Sequence, residues 1–364
     1  MTPPSPPTIA IACHEDRDDA KVGLALLVAS LQRCSGSADI VVSGTPCSDL
    51  PHDEHASARV LQFQGPDLRG RSWNVKPTML LDLLDRGYER VAWIDADVMV
   101  TGDVAAFFNA VPADHIVVAE EYPWAWQAAG ATRTRRWGLA VGRSLHVTTN
   151  SCVVAVTRDH RPLLQIWEQM LGAPAYVAAQ AQLVYDRPVH MVGDQDVLMA
   201  LLGSDTYGGI PLRFLQNGRD IIQHFGPSSF RVRDRLNASG GRLALFVHAQ
   251  AGQPWRFAYP IRPWSLRAYY DRVNAELSPY TWLARRHAEM IEGVSSHDWL
   301  TPRTIPAKLM QAVTRNDPAL QGLVLASLEA SIRRIKRLLG ISPWREGRTQ
   351  APPAAEQLVK GAEA

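Results

Sequence analysis

E-R-V-A-W-I-D-A-D-V-M-V, residues 89–100, decides how this chain is read. An apolar run, Val91-Ala92-Trp93-Ile94, leads into two carboxylates, Asp95 and Asp97, and a second apolar run follows them. A buried strand that ends in an acidic turn has this pattern. Aspartate is a poor strand former, and burying two unpaired carboxylates is costly. The pair therefore calls for a cation. A hard divalent metal fits, and such metals commonly bridge protein carboxylates to a substrate's phosphates. A D-x-D alone is weak, because the chain has two more, Asp16-Arg17-Asp18 and Asp194-Gln195-Asp196. The apolar strand in front sets Asp95 and Asp97 apart.

Outward from this stretch, Ile9-Ala10-Ile11-Ala12, Ile40-Val41-Val42, Val60-Leu61-Gln62-Phe63, His115 to Ala119 and Ser151 to Val156 read as strands. Asp19 to Arg33 and Lys76 to Tyr88 have helical spacing, with Gly87 as the stop of the second. This alternation predicts an α/β fold, a mostly parallel sheet with helices on both faces. Ligands of such sheets sit beyond the carboxyl ends of the strands, which is where Asp95 and Asp97 fall. After residue 256 strands become scarce, and Ser265 to Leu277, Tyr280 to Ile291 and Leu320 to Leu339 read as helices. The expected organisation is a core over 9–256 and a helical extension over 257–345 packed on it. Residues 1–8 and 346–364 read as disordered tails.

Composition narrows the class. Apolar residues make up 46% of 364, enough for a sizeable core, and the formal net charge is +2. No bulk charge points to nucleic acid, and none is expected as a partner. The four cysteines form no C-x-x-C pair and read as reduced thiols. The start, M-T-P-P-S-P-P-T, lacks a basic and an apolar signal region. No run approaches the roughly 18 apolar residues of a membrane span. The expectation is a cytoplasmic protein.

Four further segments join the acidic strand in order. Asn74-Val75-Lys76-Pro77 opens the helix before it, and a lysine there suits a phosphate as a point charge. Thr149-Asn150-Ser151-Cys152 puts an amide and a hydroxyl at the start of a strand. Gly193-Asp194-Gln195-Asp196 puts acids at a helix N-terminus, where they also cap it. Phe246-Val247-His248 runs into a Gly252-Gln253-Pro254-Trp255 turn. A lone histidine is more often structural, but beside two carboxylates His248 makes a manganese ligand set.

This ordered set resembles the retaining glycosyltransferases of family 8, the glycogenin and lipopolysaccharide galactosyltransferase group, over roughly residues 8–256. The resemblance implies a GT-A nucleotide-diphospho-sugar transferase fold for the core. It implies that Asp95, Asp97 and His248 hold Mn²⁺ (or Mg²⁺), with Asp95 also near the nucleotide ribose. Lys76 would contact the donor sugar or its phosphates. Asn150, Asp194 and Gln195 would surround the sugar, with Asp194 and Gln195 as catalytic residues. Ala12 and His14 would hold the base. The donor implied is a UDP-hexose, UDP-glucose or UDP-galactose, and the acceptor a carbohydrate, lipid-linked or other small molecule. Cys152 and Gln253 depart from the family pattern, which has glycine and lysine there; Arg256 is one candidate to replace the lost cation.

Residues 120–145 place Trp124, Trp126 and Trp137 around Arg133, Arg135 and Arg136, a composition suited to sugar rings and anionic acceptors. Residues 331–345 read as a basic amphipathic helix and its continuation, which suits peripheral contact with the inner face of a membrane. An aspartyl-phosphate phosphatase also uses an apolar strand before D-x-D, but needs threonine where Met99 stands. A pyrophosphorylase would carry a Gly-rich basic loop where C-H-E-D-R-D-D stands. An inverting glycosyltransferase, with Asp194 or Asp196 as base, and a non-catalytic nucleotide-sugar or glycan-binding protein remain the alternatives.

Overall fold

A computed structural model describes residues 9–121, 130–184, 186–240, 242–250, 253–256, 265–291 and 297–339. The expected tails, and Trp124 and Trp126, lie outside them. The first half runs β1 (Ile9–His14), α1 (Lys21–Cys34), β2 (Asp39–Ser43), β3 (Arg59–Gln62), α2 (Lys76–Asp85), β4 (Arg90–Ile94), β5 (Val98–Val100), α3 (Val104–Asn109) and β6 (Ile116–Glu120). Next come α4 (Thr132–Arg136), β7 (Thr149–Thr157), α5 (Arg161–Leu171), α6 (Pro174–Gln180), α7 (Asp194–Leu202), β8 (Leu212–Leu215), β9 (Ile221–Gln223), α8 (Val232–Asn237) and β10 (Phe246–His248). The C-terminal part holds α9 (Leu266–Glu276), α10 (Pro279–His287), α11 (Ile305–Val313) and α12 (Leu323–Leu338).

Seven strands form the main sheet in the order β3-β2-β1-β4-β7-β6-β8. Four of its six pairings are parallel, and β7 is antiparallel to both β4 and β6. The fold is therefore the mixed α/β sandwich expected, with one reversed strand at its centre. β4 shows why both faces must be covered. Ala92 and Ile94 join the core around α1, while Val91 and Trp93 join the one around α2, α5 and α7. Alternate side chains of a strand go to opposite faces, so an unbroken apolar run needs a helical layer on each.

The short strands β8 and β9 and the helix α11 were not expected. A small second sheet, β5-β10-β9, pairs His248 with Val98 across an antiparallel ladder. Gly87 ends the α2 region at a φ of 103°, a conformation glycine adopts freely. The C-terminal helices contribute Tyr280, Leu283, Ala284 and Trp299 to the core that also holds β1 and α1. Trp255 bridges to them, with ring centroids 5.7 Å from Tyr280 and 6.2 Å from Trp299. Gly23 matters here: a Cβ on it would lie 2.9 Å from Trp255 and from the Ala96 carbonyl.

Candidate functional site

Topology gathers the polar residues at one edge of the sheet. β4 ends at Ile94, so Asp95 and Asp97 form the turn into β5. The Asp95 N–H donates to the Cys152 carbonyl at 2.8 Å, and that of Val98 closes the turn on Asp95 O at 3.0 Å. Because β7 runs the other way, its start, with Asn150 and Ser151, reaches the same edge. The N-terminus of α7 is anchored there by Asp196, whose carboxylate accepts from Gly193 N at 3.0 Å. Pairing of β10 with β5 brings His248 beside Asp97, and Ala249 N donates to Asp97 O at 3.0 Å. These elements enclose a cavity of about 270 Å³. A neighbouring cavity of about 320 Å³ lies at the ends of β1, β2 and β3, and His14 lines both.

One ligand atom each from Asp95, Asp97 and His248 lies within 4.8 Å of the others. Two carboxylates and an imidazole at this spacing fit a divalent transition metal. His248 Nε2 stands 3.2 Å from Asp97 Oδ1. Burial resists ionisation of Asp97, yet His248 and Gln253 bring its carboxyl down to about 2. Burial also opposes charge on His248, while Cys152 and Asp97 favour it, and its pKa rises well above the ordinary value. Burial keeps the Cys152 thiol protonated, so Asp97 is the group that holds the imidazolium. Gln253 donates Nε2–H to Asp97 Oδ2 at 2.7 Å. Gln253 is thus spent on a carboxylate of the candidate metal-ligand set. The side chain of Arg256 lies outside the described residues.

Lys76 is 2% exposed and fully engaged. Its Nζ donates to Ser151 Oγ at 2.7 Å and lies 3.1 Å from Asp95 Oδ1 and 3.3 Å from Asp194 Oδ2. Burial works against its charge, but Asp194 and Asp95 hold its pKa above the usual lysine value. Ser151 passes the pattern on by donating to Asp194 Oδ2 at 2.7 Å. Burial raises the Asp194 carboxyl and Lys76 opposes the rise. Trp93 Nε1 donates to Asp95 Oδ1 at 2.6 Å. At the other wall Arg17 grips Glu15 with Nε and Nη2 at 2.8 and 2.7 Å.

Asp95, Asp97, Lys76, Asn150, Asp194, Gln195, His248 and His14 all line the cavity. Ala12 does not line it: it is fully buried in the sheet, because β1 continues to His14. Two readings of the 120–145 stretch are corrected. Arg133 is buried and its Nε meets Asp196 Oδ1 at 2.6 Å, so it braces α7 and presents no charge to an acceptor. Trp137 is 2% exposed and donates Nε1–H to His190 O at 2.8 Å, so it is core. Arg135 is exposed.

Sequence reading missed Glu121, Gln250 and Arg17. Glu121 is buried just beyond β6, and its N–H donates to Thr148 O at 2.8 Å. Burial pushes its carboxyl up to about 7, against hydrogen bonds from Gln250 and Asn150. Its only signal was an acid at the end of an apolar strand, the same signal that marked Asp95.

No family model matches the chain, and no curated protein matches it. Among solved structures it is similar to the apo form of the WbbM bifunctional glycosyltransferase, at a TM-score of 0.46 and 12% identity over 69% of this chain. The chain spans 48% of that protein's length. It is also similar to a glycosyltransferase involved in glycosylation of the PBCV-1 major capsid, at a TM-score of 0.37 and 14% identity over 66% of this chain and 93% of the other. At such identities no site residue carries over.

Proposed function

We propose that this chain is a metal-dependent glycosyltransferase that moves a hexose from UDP-glucose or UDP-galactose to a carbohydrate or lipid-linked acceptor, with retention. One observation carries the reading: the metal-ligand trio sits in a cavity lined by five carboxylates, Glu15, Asp16, Asp95, Asp97 and Asp194, against three cationic side chains, Arg17, Lys76 and His248. Such a cavity repels a diphosphate unless a divalent cation joins it. Asp95, Asp97 and His248 suit Mn²⁺, which when bound supplies Lewis-acid stabilisation of charge on the departing diphosphate.

The chain's own groups do the rest. The two adjoining cavities meet at His14, which suits a base in one and a diphosphate in the other. Arg17 offers a half-exposed guanidinium to the phosphates. Lys76 stands between Asp95 and Asp194, 3.1 and 3.3 Å from their carboxylates, and balances their charge beside the sugar. Asp194 and Asp196 are the natural bases for an inverting attack, yet each is already paired, with Lys76 and with Arg133. Neither of those two acids is free to act as base, which favours retention, with the acceptor entering on the face the diphosphate leaves. Asp194 stands beside a sugar carbon of oxocarbenium character, and Gln195 lines the cavity next to it.

The acceptor class draws on α12. Leu328, Ile332 and Ile335 are 54%, 44% and 55% exposed, and Arg334 and Lys336 are exposed beside them. An amphipathic basic helix of this kind suits the anionic cytoplasmic leaflet, where a lipid-linked acceptor is presented. Among the described residues no helix is long and apolar enough to cross a membrane.

The test follows hydrolysis of UDP-glucose and UDP-galactose with Mn²⁺ by proton NMR. The α-hexose appearing first supports retention. The β-hexose first would establish inversion, and no hydrolysis or transfer with either donor would reject the reading.

A further inference from the structure

Glu121 is a buried carboxylate with no lysine or arginine partner among the described residues. Three amides surround it instead, one from each of three elements. Asn150 of β7 donates its Nδ2–H. Gln195 of α7 donates Nε2–H at 3.2 Å, and Gln250, just after β10, donates Nε2–H at 2.6 Å. All three amide residues line the metal-bearing cavity. Once Glu121 is ionised, above about pH 7, it only accepts, so each amide then turns its nitrogen toward it. The carbonyl oxygen is then the free end. Asn150 Oδ1 is used locally, accepting from Cys152 N at 2.8 Å. Gln250 Oε1 is buried with no hydrogen-bond partner. An unpaired buried acceptor is costly unless something fills it.

We propose that Glu121 is a positioning residue that turns Gln195 and Gln250 so that both offer carbonyl oxygens, not N–H groups, to the hydroxyls of the transferred sugar. This rests on the glycosyl-transfer reading of the same cavity. The physical content is a polarity choice. A glutamine alone presents either end to a ligand at similar cost, and a buried acceptor-only neighbour removes the choice. Two acceptors in the cavity wall select a sugar with hydroxyl donors at those places. A site built to hydrogen-bond a hydroxyl rejects the analogue that lacks it far more strongly than a shape-matched apolar pocket does.

Glu121→Gln keeps the shape but can donate as well as accept, which frees the amides to flip. The full-length variant is titrated at about pH 8, where wild-type Glu121 is ionised, with UDP and with UDP-glucose and UDP-galactose in Mn²⁺, and turnover is measured with both sugars. UDP affinity is expected to stay within about twofold of wild type, while UDP-hexose affinity falls about tenfold and kcat falls about a hundredfold. Equal losses for UDP and UDP-hexose, or wild-type turnover, would overturn the proposal while leaving glycosyl transfer standing. A wild-type protein that binds neither UDP-hexose would end the glycosyl-transfer reading and the proposal together. If Glu121→Gln fails to fold, Gln250→Met carries the test with the same sugar-selective loss expected. Unselective loss in that variant overturns the proposal.

Discussion

Lys76 Nζ lies 3.1 Å from Asp95 Oδ1, so the acid that opens the candidate metal site is already paired with a buried lysine from α2. The same ammonium lies 3.3 Å from Asp194. Lys76 is thus an internal counter-ion shared by two acids of the cavity.

Removing that counter-ion should be expensive. Lys76→Met leaves Asp95 and Asp194 without a cation, and breaking a buried pair from one side costs roughly 3–5 kcal/mol. Urea denaturation of the variant is expected to show a loss of that order. The loss should shrink as pH falls and Asp194, whose carboxyl burial already raises, protonates. A loss under about 1 kcal/mol near neutral pH would mean that Lys76 carries little of the burden.

Gln253 gives a second expectation. It donates to Asp97 Oδ2 at 2.7 Å, outside the metal-ligand trio but in contact with it. Groups that orient a ligand in this way are worth about 10–100-fold in metal affinity. Calorimetric titration with Mn²⁺ should therefore show Gln253→Leu weakened by about that factor, and His248→Ala weakened further. Equal affinity of wild type and Gln253→Leu would remove the assigned role.

Glu121 gives stability a pH dependence of known sign. Its carboxyl is held at about 7 in the fold, by burial first, against an ordinary value of 4.5. The folded state thus keeps a proton that the unfolded state has lost, and stability falls as pH rises between those two values. The span amounts to up to about 3 kcal/mol. Glu121→Gln should be more stable than wild type at about pH 8, with the gap closing toward about pH 5. Denaturation midpoints across that range check it. A gap that does not change with pH would contradict the assignment. The variant would then gain stability where it loses sugar recognition, as strained functional sites often do.

The fold and half of the site were legible in the sequence for a physical reason. Asp95, Asp97 and His248 each interrupt or end an apolar strand, so their cost is visible without a structure. The alternation of β1 to β4 with α1 and α2 is likewise local. Glu121 was not legible because its local signal, an acid after an apolar strand, does not show its partners, and only the arrival of Gln195 and Gln250 from distant elements makes it a buried hub. Arg133 failed similarly: T-R-T-R-R looks like a basic surface turn, and its partner Asp196 lies 63 residues on. The short strands β8 and β9 carry too few residues to show a period. Cys152 and Gln253 were noticed as departures, but the hydrogen bond from Gln253 to Asp97 depends on the turn after β10.

The proposed membrane contact rests on the exposed apolar residues of α12 beside Arg334 and Lys336. Vesicles of anionic lipid should float the full-length protein at about 0.1 M salt and release much of it near 1 M. Ile335→Asp with Lys336→Glu should abolish flotation, and neutral vesicles should float little. Flotation by neutral vesicles as strong as by anionic ones would remove the electrostatic part. No flotation at low salt would remove membrane contact altogether.

The most direct measurement is nucleotide release from UDP-glucose and UDP-galactose, with and without Mn²⁺, by wild type and Asp97→Ala. The expected result is release of UDP from one donor by wild type only, dependent on the metal and lost in the variant. Release that persists without metal or in Asp97→Ala, or none from either donor alongside undetectable donor binding, would contradict a metal-dependent glycosyltransferase centred on Asp95, Asp97 and His248.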